Sequence, residues 1–144
     1  MILYTLSNDY SYYGNAYKSI TTALDSFENV KKSFGNMYKL ESCELQHIGR
    51  YVYYIFVNYG YEYDHKNGGI RSFTEKSEIF ESIDKAKESI MWKEALDKYN
   101  KNKRKFIVTD TVIASKEPNG SQFYFCKRSK GKFNMEIKRI RVFP

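Results

Sequence analysis

Residues 51–59 read YVYYIFVNY, apolar on both parities. A strand with one face in water alternates, whereas a strand apolar on both sides is covered on both. This run is expected to be a central strand. Further extended runs fall at 2–7, 16–24, 38–48, 70–80 and 105–115. Two more, at 121–127 and 133–143, follow the turn chemistry of KEPNGS. In the last run Phe133, Met135 and Ile137 share one parity, and Ile140 and Val142 take the other. A bulge near Lys138 and Arg139, or departure of the tail from the sheet, would account for the switch.

Two polar-apolar stretches match each other. DSFENVKKSF at 25–34 and ESIDKAKESI at 81–90 share Ser26/Ser82, Lys31/Lys87 and Ser33/Ser89, and keep the character of most other positions. Each predicts a helix start. Ser26 and Ser82 are the expected N-caps, with Glu28 and Asp84 in the first turn, where negative charge suits the helix dipole. Phe27, Val30 and Phe34, like Ile83, Ala86 and Ile90, fall at i, i+3 and i+7, one helical face. Gly35 stops the first helix as a C′ glycine. Both stretches follow an extended run, a tyrosine-rich turn and a second extended run, and both precede a strand. The expected fold is α+β, a tandem pseudo-repeat of a ββαβ unit with a mostly antiparallel sheet and two helices. Residues 1–48 form the first unit. Residues 49–144 form the second, with a longer helix and two extra C-terminal strands, the whole packed as one compact domain.

The turn at 10–14 with the helix start at 26–31, and the turn at 59–63 with that at 82–87, resemble small uncharacterised phage and bacterial proteins. Those carry a DYGY-like turn and an F-x-S-x-E-x-A-K helix start. The resemblance spans about half the chain. It implies the ββαβ unit and a phage origin, and it implies no activity. A composition rich in Tyr, Lys, Asn, Phe and Ile, whose codons are AT-rich, points the same way.

The second helix holds an inconsistency. Ile83, Ala86 and Ile90 mark one face, while Trp92, Ala95, Leu96 and Tyr99 fall opposite them at about 100° per residue. A straight helix cannot turn both stripes to one core. Either it kinks near Met91 or lies between two layers, or it presents a partner-binding face anchored by Trp92, Leu96 and Tyr99. Tyr12, Tyr13, Tyr61 and Tyr63 in the two turns are a second candidate contact surface, since tyrosine gives broad amphipathic contact at low entropic cost.

Charge is divided along the chain. Residues 1–97 carry 11 Lys/Arg against 14 Asp/Glu, and residues 98–144 carry 13 against 3, so −3 and +10 make the net +7. Lys101, Lys103, Arg104, Lys105, Lys127, Arg128, Lys130 and Lys132, with Lys138, Arg139 and Arg141, are candidate nucleic-acid contacts. Phe123, Tyr124, Phe125 and Phe133 interleave and could stack on bases. The alternatives are a solvated lysine surface and an acidic protein partner.

Catalytic chemistry is poorly supplied. Asp110 with Glu136 and Lys138 is the best match, a nuclease-like Mg²⁺ site, but its parts are separated by a strand. His47 and His65 form no evident pair, and Cys43 with His47 gives two metal ligands where zinc wants four. There is no phosphate loop, nucleophile elbow or CxxC. Cys43 and Cys126 are too few for a disulfide framework. The start MILYTLSNDY lacks the basic and long apolar regions of a signal peptide, and no window nears the roughly 18 apolar residues of a membrane span. The expectation is a non-enzymatic phage-type protein in the host cytoplasm, monomer or homodimer, without cofactor or metal. It would bind and inhibit or redirect a host protein complex engaged in defence or nucleic-acid processing. DNA or RNA binding through the basic C-terminal region is the alternative, and a metal-dependent nuclease the third.

Overall fold

The computed structural model describes residues 1–64, 68–102, 113–114, 122–128 and 131–144, with side chains for 1–58, 68, 74–98, 100 and 135–144. In chain order the elements are β1 (Ile2–Ser7), β2 (Tyr12–Tyr17), α1 (Ile20–Phe34), β3 (Lys39–Glu44), β4 (Tyr51–Asp64) and β5 (Gly69–Lys76). After them come α2 (Ile83–Glu88), α3 (Ile90–Asn102), β6 (Ile113–Ala114), β7 (Gln122–Arg128) and β8 (Gly131–Phe143). The class is α+β. The strands form a mostly antiparallel sheet in the order β3-β1-β2-β8-β4-β5, with β7 also on β8 and β6 on β7. The pairing of β2 with β8 is parallel.

β4 is central, as its two-sided apolar pattern requires. It runs between β8 and β5, and Val52, Tyr54, Ile55 and Val57 are all buried. Its two faces serve different cores. On one, Ile55 and Val57 join Met135 and Ile137 beneath Ala86, Trp92 and Ala95 of α2 and α3. On the other, Val52 and Tyr54 meet Leu3, Ala16, Ile48, Ile79 and Ile140. The second core lies inside the curl of the sheet: the Tyr12 hydroxyl on β2 donates to the Ser77 carbonyl beyond β5 at 2.8 Å, across two intervening strands.

β8 carries no bulge at 138–139. It pairs with β4 without a break from Tyr51↔Arg141 to Asn58↔Asn134. The parity switch has another cause. Early β8 buries Met135 and Ile137 under the helices on the convex face, and late β8 buries Ile140 inside the concave face. A bulge lies instead where β5 ends. Ser77 N–H donates to the Ile55 carbonyl at 2.9 Å, and the Ser77 hydroxyl accepts the Ile55 N–H at 2.7 Å. One serine thus serves both groups of Ile55, and the chain continues along β4 to the Tyr53↔Phe80 bridge.

The helices depart from the sequence pattern in two ways. The cap of α1 lies seven positions before Ser26, at Ser19, whose side chain accepts from the Thr22 N–H. Ile20, Thr21 and Thr22 favour strand by propensity, but burial of Ala23 and Val30 on one helical face prevails. Ser26 is therefore inside the helix, its hydroxyl 2.8 Å from that of Tyr17. Gly35 does end α1, at φ 62°, its N–H bonded to the Lys31 carbonyl at 2.8 Å. Ser82 does cap α2, accepting from the Lys85 N–H at 3.1 Å. The two similar stretches thus occupy different places in their helices. Their units also pair differently: β3 lies on β1, whereas β6 lies on β7.

The expected kink is at Ser89, which is extended (φ −68°, ψ 152°). Its hydroxyl donates to the Ala86 carbonyl at 2.6 Å and accepts the Trp92 N–H at 3.3 Å, closing α2 and capping α3. The break makes three helices among the described residues where two were expected. It turns Trp92 and Ala95 onto the same core as Ala86, and leaves Ile90, expected on the buried stripe, 76% exposed.

Candidate functional site

The proposed anchor on the second helix is not a surface residue. Trp92 is 3% exposed, and Leu96 is half-buried against the same core. The kink explains this, since it turns Ile83 and Ala86 of the first stripe and Trp92, Ala95 and Leu96 of the second onto one core. Tyr99 is in α3, and its side chain lies outside those described. Tyr12 points into the curl, its ring 4.7 Å from that of Tyr54 in an edge contact. Burial raises the pKa of both phenols, that of Tyr54 to about 12. Tyr61 and Tyr63 lie in β4 opposite Ser72 and Ile70, with side chains outside those described.

Tyr13 is different. Its ring stands 5.5 Å from Phe34 and 5.0 Å from Tyr38, which are 6.0 Å from each other. Two local devices assemble this knot. The Asn8 side-chain oxygen accepts the N–H groups of Tyr10 and Ser11 at 2.9 and 2.8 Å, folding the β1–β2 turn as an Asx turn. The Gly35 stop then brings the last turn of α1 and Tyr38 alongside it. The result faces solvent: Phe34 is 43% and Tyr13 37% exposed, and Met37, which follows Phe34 closely in the chain, is 56% exposed.

The basic candidates fall mostly in undescribed segments. Lys103, Arg104, Lys105 and Lys130 lie outside the described residues, as do Asp110 and His65. Lys101 is in the last turn of α3. Lys127 and Arg128 of β7 pair with Lys132 and Gly131 of β8, so Lys127 and Lys132 directly oppose each other. Their side chains are not among those described. Lys138 lies over Phe56, its ammonium 4.8 Å from the ring centre. His47 is exposed, and burial raises the pKa of the half-buried Cys43 thiol. Among the described residues no group of three or more His, Cys, Asp or Glu could hold a metal, and no helix is long and apolar enough to cross a membrane.

A second surface emerges from the register. Arg139, Arg141 and Phe143 share the convex face of β8 with Ile137, and Tyr51 and Tyr53 share that face of β4. The Arg139 guanidinium carbon lies over the Tyr51 ring, 4.0 Å from its centre, and that of Arg141 over Phe143 at 4.9 Å. Tyr17 continues the row at 6.4 Å from Phe143 and bonds to Ser26 of α1. The row therefore runs between α1 on one side and α2 on the other. Beside Tyr51 opens a cleft of about 410 Å³, bounded also by His47, Arg50, Tyr53, Glu81 and Asp84. Glu81 is already engaged. It accepts the Lys85 ammonium at 2.7 Å and the N–H groups of Gln46 and His47 at 2.6 and 3.2 Å, which hold its carboxyl below the usual range, Lys85 first.

Of this row the sequence had marked only Arg139 and Arg141, as part of a general basic tail. The usable signal was RIRVF at 139–143 against YVY at 51–53, both alternating, but only the register shows that they meet. No known family, curated protein or solved structure matches this chain.

Proposed function

We propose that this chain is a non-enzymatic, phage-type binding protein that attaches to a host protein complex and inhibits or redirects it, the complex serving defence or nucleic-acid processing in the host cytoplasm. The observation that carries the proposal is the solvent-facing knot of Tyr13, Phe34 and Tyr38, with exposed Met37 bonded through its backbone N–H to the Phe34 carbonyl. Aromatic and methionine side chains gathered in one exposed place are what interface cores are made of. Asn8 and Gly35 fix the backbone beneath them, so little entropy is lost on docking. A duplicated origin, with units 1–48 and 49–144, is supported by the shared order of hairpin then helix in each half.

The test is affinity capture from a low-GC bacterial host lysate, comparing the wild type with a Phe34→Ser/Met37→Asp variant. A host protein should be enriched on the wild type and lost from the variant, which forfeits the ring contacts of Phe34 with Tyr13 and Tyr38 at about 0.5–1.5 kcal/mol each and should still give the wild-type circular dichroism spectrum at the capture temperature. Equal capture by both would remove the knot from consideration.

A second reading, nucleic-acid binding through the basic C-terminal region, draws support from the Lys127↔Lys132 register. Like charges directly opposed in a ladder are unfavourable by themselves and are relieved by an anion between them.

A further inference from the structure

We infer that α1 is a self-pairing helix, whose exposed stripe of Ile20, Leu24, Phe27, Lys31 and Phe34 packs antiparallel against the same stripe of a second copy of this chain. The inference goes beyond the host-binding reading and stands without it.

The stripe is first a spacing. Its residues lie 4, 3, 4 and 3 positions apart. That alternation is a coiled-coil seam, in which apolar residues recur every 3.5 residues on average. At about 100° per residue the five positions fall within about 80° of arc. They are not the residues that hold α1 to the sheet. Ala23 and Val30 do that, buried, at about 70° from the midline of the stripe. On the far flank of Ala23 and Val30, the Ser26 hydroxyl meets that of Tyr17 on β2. The stripe lies on the opposite flank of the helix. There Ile20 is 50%, Leu24 43% and Phe34 43% exposed, and Phe27 is half-buried. An apolar row running the length of a helix, beside its buried face and apart from it, is the surface a second helix covers.

Charge and register choose the occupant. Parallel pairing sets Lys31 against Lys31 of the second copy, like on like. Antiparallel pairing lays seam on seam in two full registers. One sets Leu24 on Phe27 and Lys31 on Ile20, which strands the ammonium on an aliphatic side chain and leaves Phe34 bare. The other sets Leu24 on Phe34 and Lys31 on Phe27, each twice about the two-fold axis, and brings Ile20 beside Tyr38 of the knot. In this register Lys31 also lies beside Glu28 of the second copy, which follows Phe27 at the edge of the seam. Glu28 is exposed and forms no ion pair among the described residues. Within its own helix the Lys31 ammonium is 5.7 Å from the centre of the Phe27 ring, the cation–ring pairing that the second copy repeats across the interface. One helix thus carries both halves of the contact, as a two-fold interface requires. The antiparallel arrangement also sets opposite ends of the two helix dipoles side by side.

α1 is about 22 Å long. One helix pair of that length covers less than the about 1,200–2,000 Å² of a standard stable interface, so the dimer is expected on the order of tens of micromolar. Phe34 belongs to both seam and knot, so self-pairing and a host complex at the knot exclude each other at that ring.

The experiment is sedimentation equilibrium of the full chain from about 5 to 500 µM, a range that brackets a weak interface, with circular dichroism on every variant. The wild type should pass from monomer to dimer. Leu24→Glu sets a carboxylate against Phe34 of the second copy. It should weaken the dimer more than about tenfold, with helix content unchanged because the side chain is exposed. Glu28→Lys and Lys31→Glu each oppose like charges across the seam and should each weaken it about three- to tenfold. An equal mixture of those two variants should associate as the wild type does. Each then offers the charge that the other lacks, while the change within each chain persists, so recovery reports contact between copies. A wild type that stays monomeric throughout overturns the inference, and a host protein captured by it and lost from Leu24→Glu then assigns the stripe to a host partner. A dimer that ignores Leu24→Glu overturns the inference by placing the contact elsewhere. A mixture no better than its components overturns the antiparallel register and the inference with it.

Discussion

Replacing Trp92 by alanine separates a core residue from a contact residue. The indole is 3% exposed and packs among Ile55, Val57, Ala86, Ala95, Met135 and Ile137, on the seam that holds α2 and α3 to the sheet. Truncating a buried Trp to Ala removes its transfer free energy and leaves a cavity, at a cost of about 3–5 kcal/mol. A domain of this size is stable by about 5–15 kcal/mol, so about a fifth or more of the total is at stake. With a urea m-value of about 2 kcal/mol/M, the midpoint should fall by about 1.5–2.5 M. Urea titration followed by far-ultraviolet circular dichroism measures this directly. The chain has one Trp, so wild-type fluorescence reports on the same site, and the native emission should be that of an indole shielded from water. Trp92→Phe keeps a ring in the cavity and should recover most of the loss. A midpoint for Trp92→Ala within about 0.3 M of wild type, together with loss of a captured partner, would refute the packing account and restore Trp92 as an anchor.

Two other perturbations probe the frame. Ser77→Ala deprives the buried Ile55 N–H of its 2.7 Å acceptor. An orphaned buried donor costs about 1–3 kcal/mol, which should lower the melting temperature by about 3–10 °C in calorimetry, whereas Ser77→Thr keeps the hydroxyl and should lose less. For Tyr54, burial lifts the phenol from 10.0 to about 12. The folded state thus favours the neutral form, and this contribution is fully present below the ordinary phenol range and lost as pH rises from about 10 through 12. Tyrosinate absorbance should titrate in part only on alkaline unfolding, and Tyr54→Phe should flatten the alkaline limb of the stability profile. Complete tyrosinate formation near pH 10 with circular dichroism unchanged would contradict it.

Local signals in the sequence were legible where one residue type has one job. The two-sided apolar run of β4, the Ser82 cap, the Gly35 stop and the need for a break in the second helix all follow from side-chain periodicity or backbone allowance. The start of α1 did not follow, because Ile20, Thr21 and Thr22 carry strand propensity and Ser26 imitates the cap that Ser82 is. Ser19 makes the cap, and the burial of Ala23 decides between the two. The site was less legible than the fold. Trp92 has the type and spacing of an interface anchor, and only the bend at Ser89 shows that it is used inside. Arg139 and Tyr51 are far apart in sequence, and no local pattern reports that one lies on the other.

The parity change in β8 joins these two failures. Met135 and Ile137 point to the convex side, Ile140 points to the concave side, and the intervening ladder with β4 is continuous. With no bulge, Arg139 and Arg141 must continue the convex parity of Ile137. They do so beyond the end of the apolar surface that α2 and α3 cover. What resembled a defect in an amphipathic strand is a strand whose buried face changes side as the sheet curls, leaving the two arginines outward. Slipping β8 by one residue would exchange every side chain between faces. It would drive Arg139 into the place of Ile140 beside Val52 and Tyr54 and expose Met135 and Ile137 as polar-facing positions. A buried unpaired guanidinium and two lost apolar contacts oppose that slip from both cores at once. The outward placement of Arg139 and Arg141 is therefore fixed by the same packing that fixes the core, although neither arginine belongs to it.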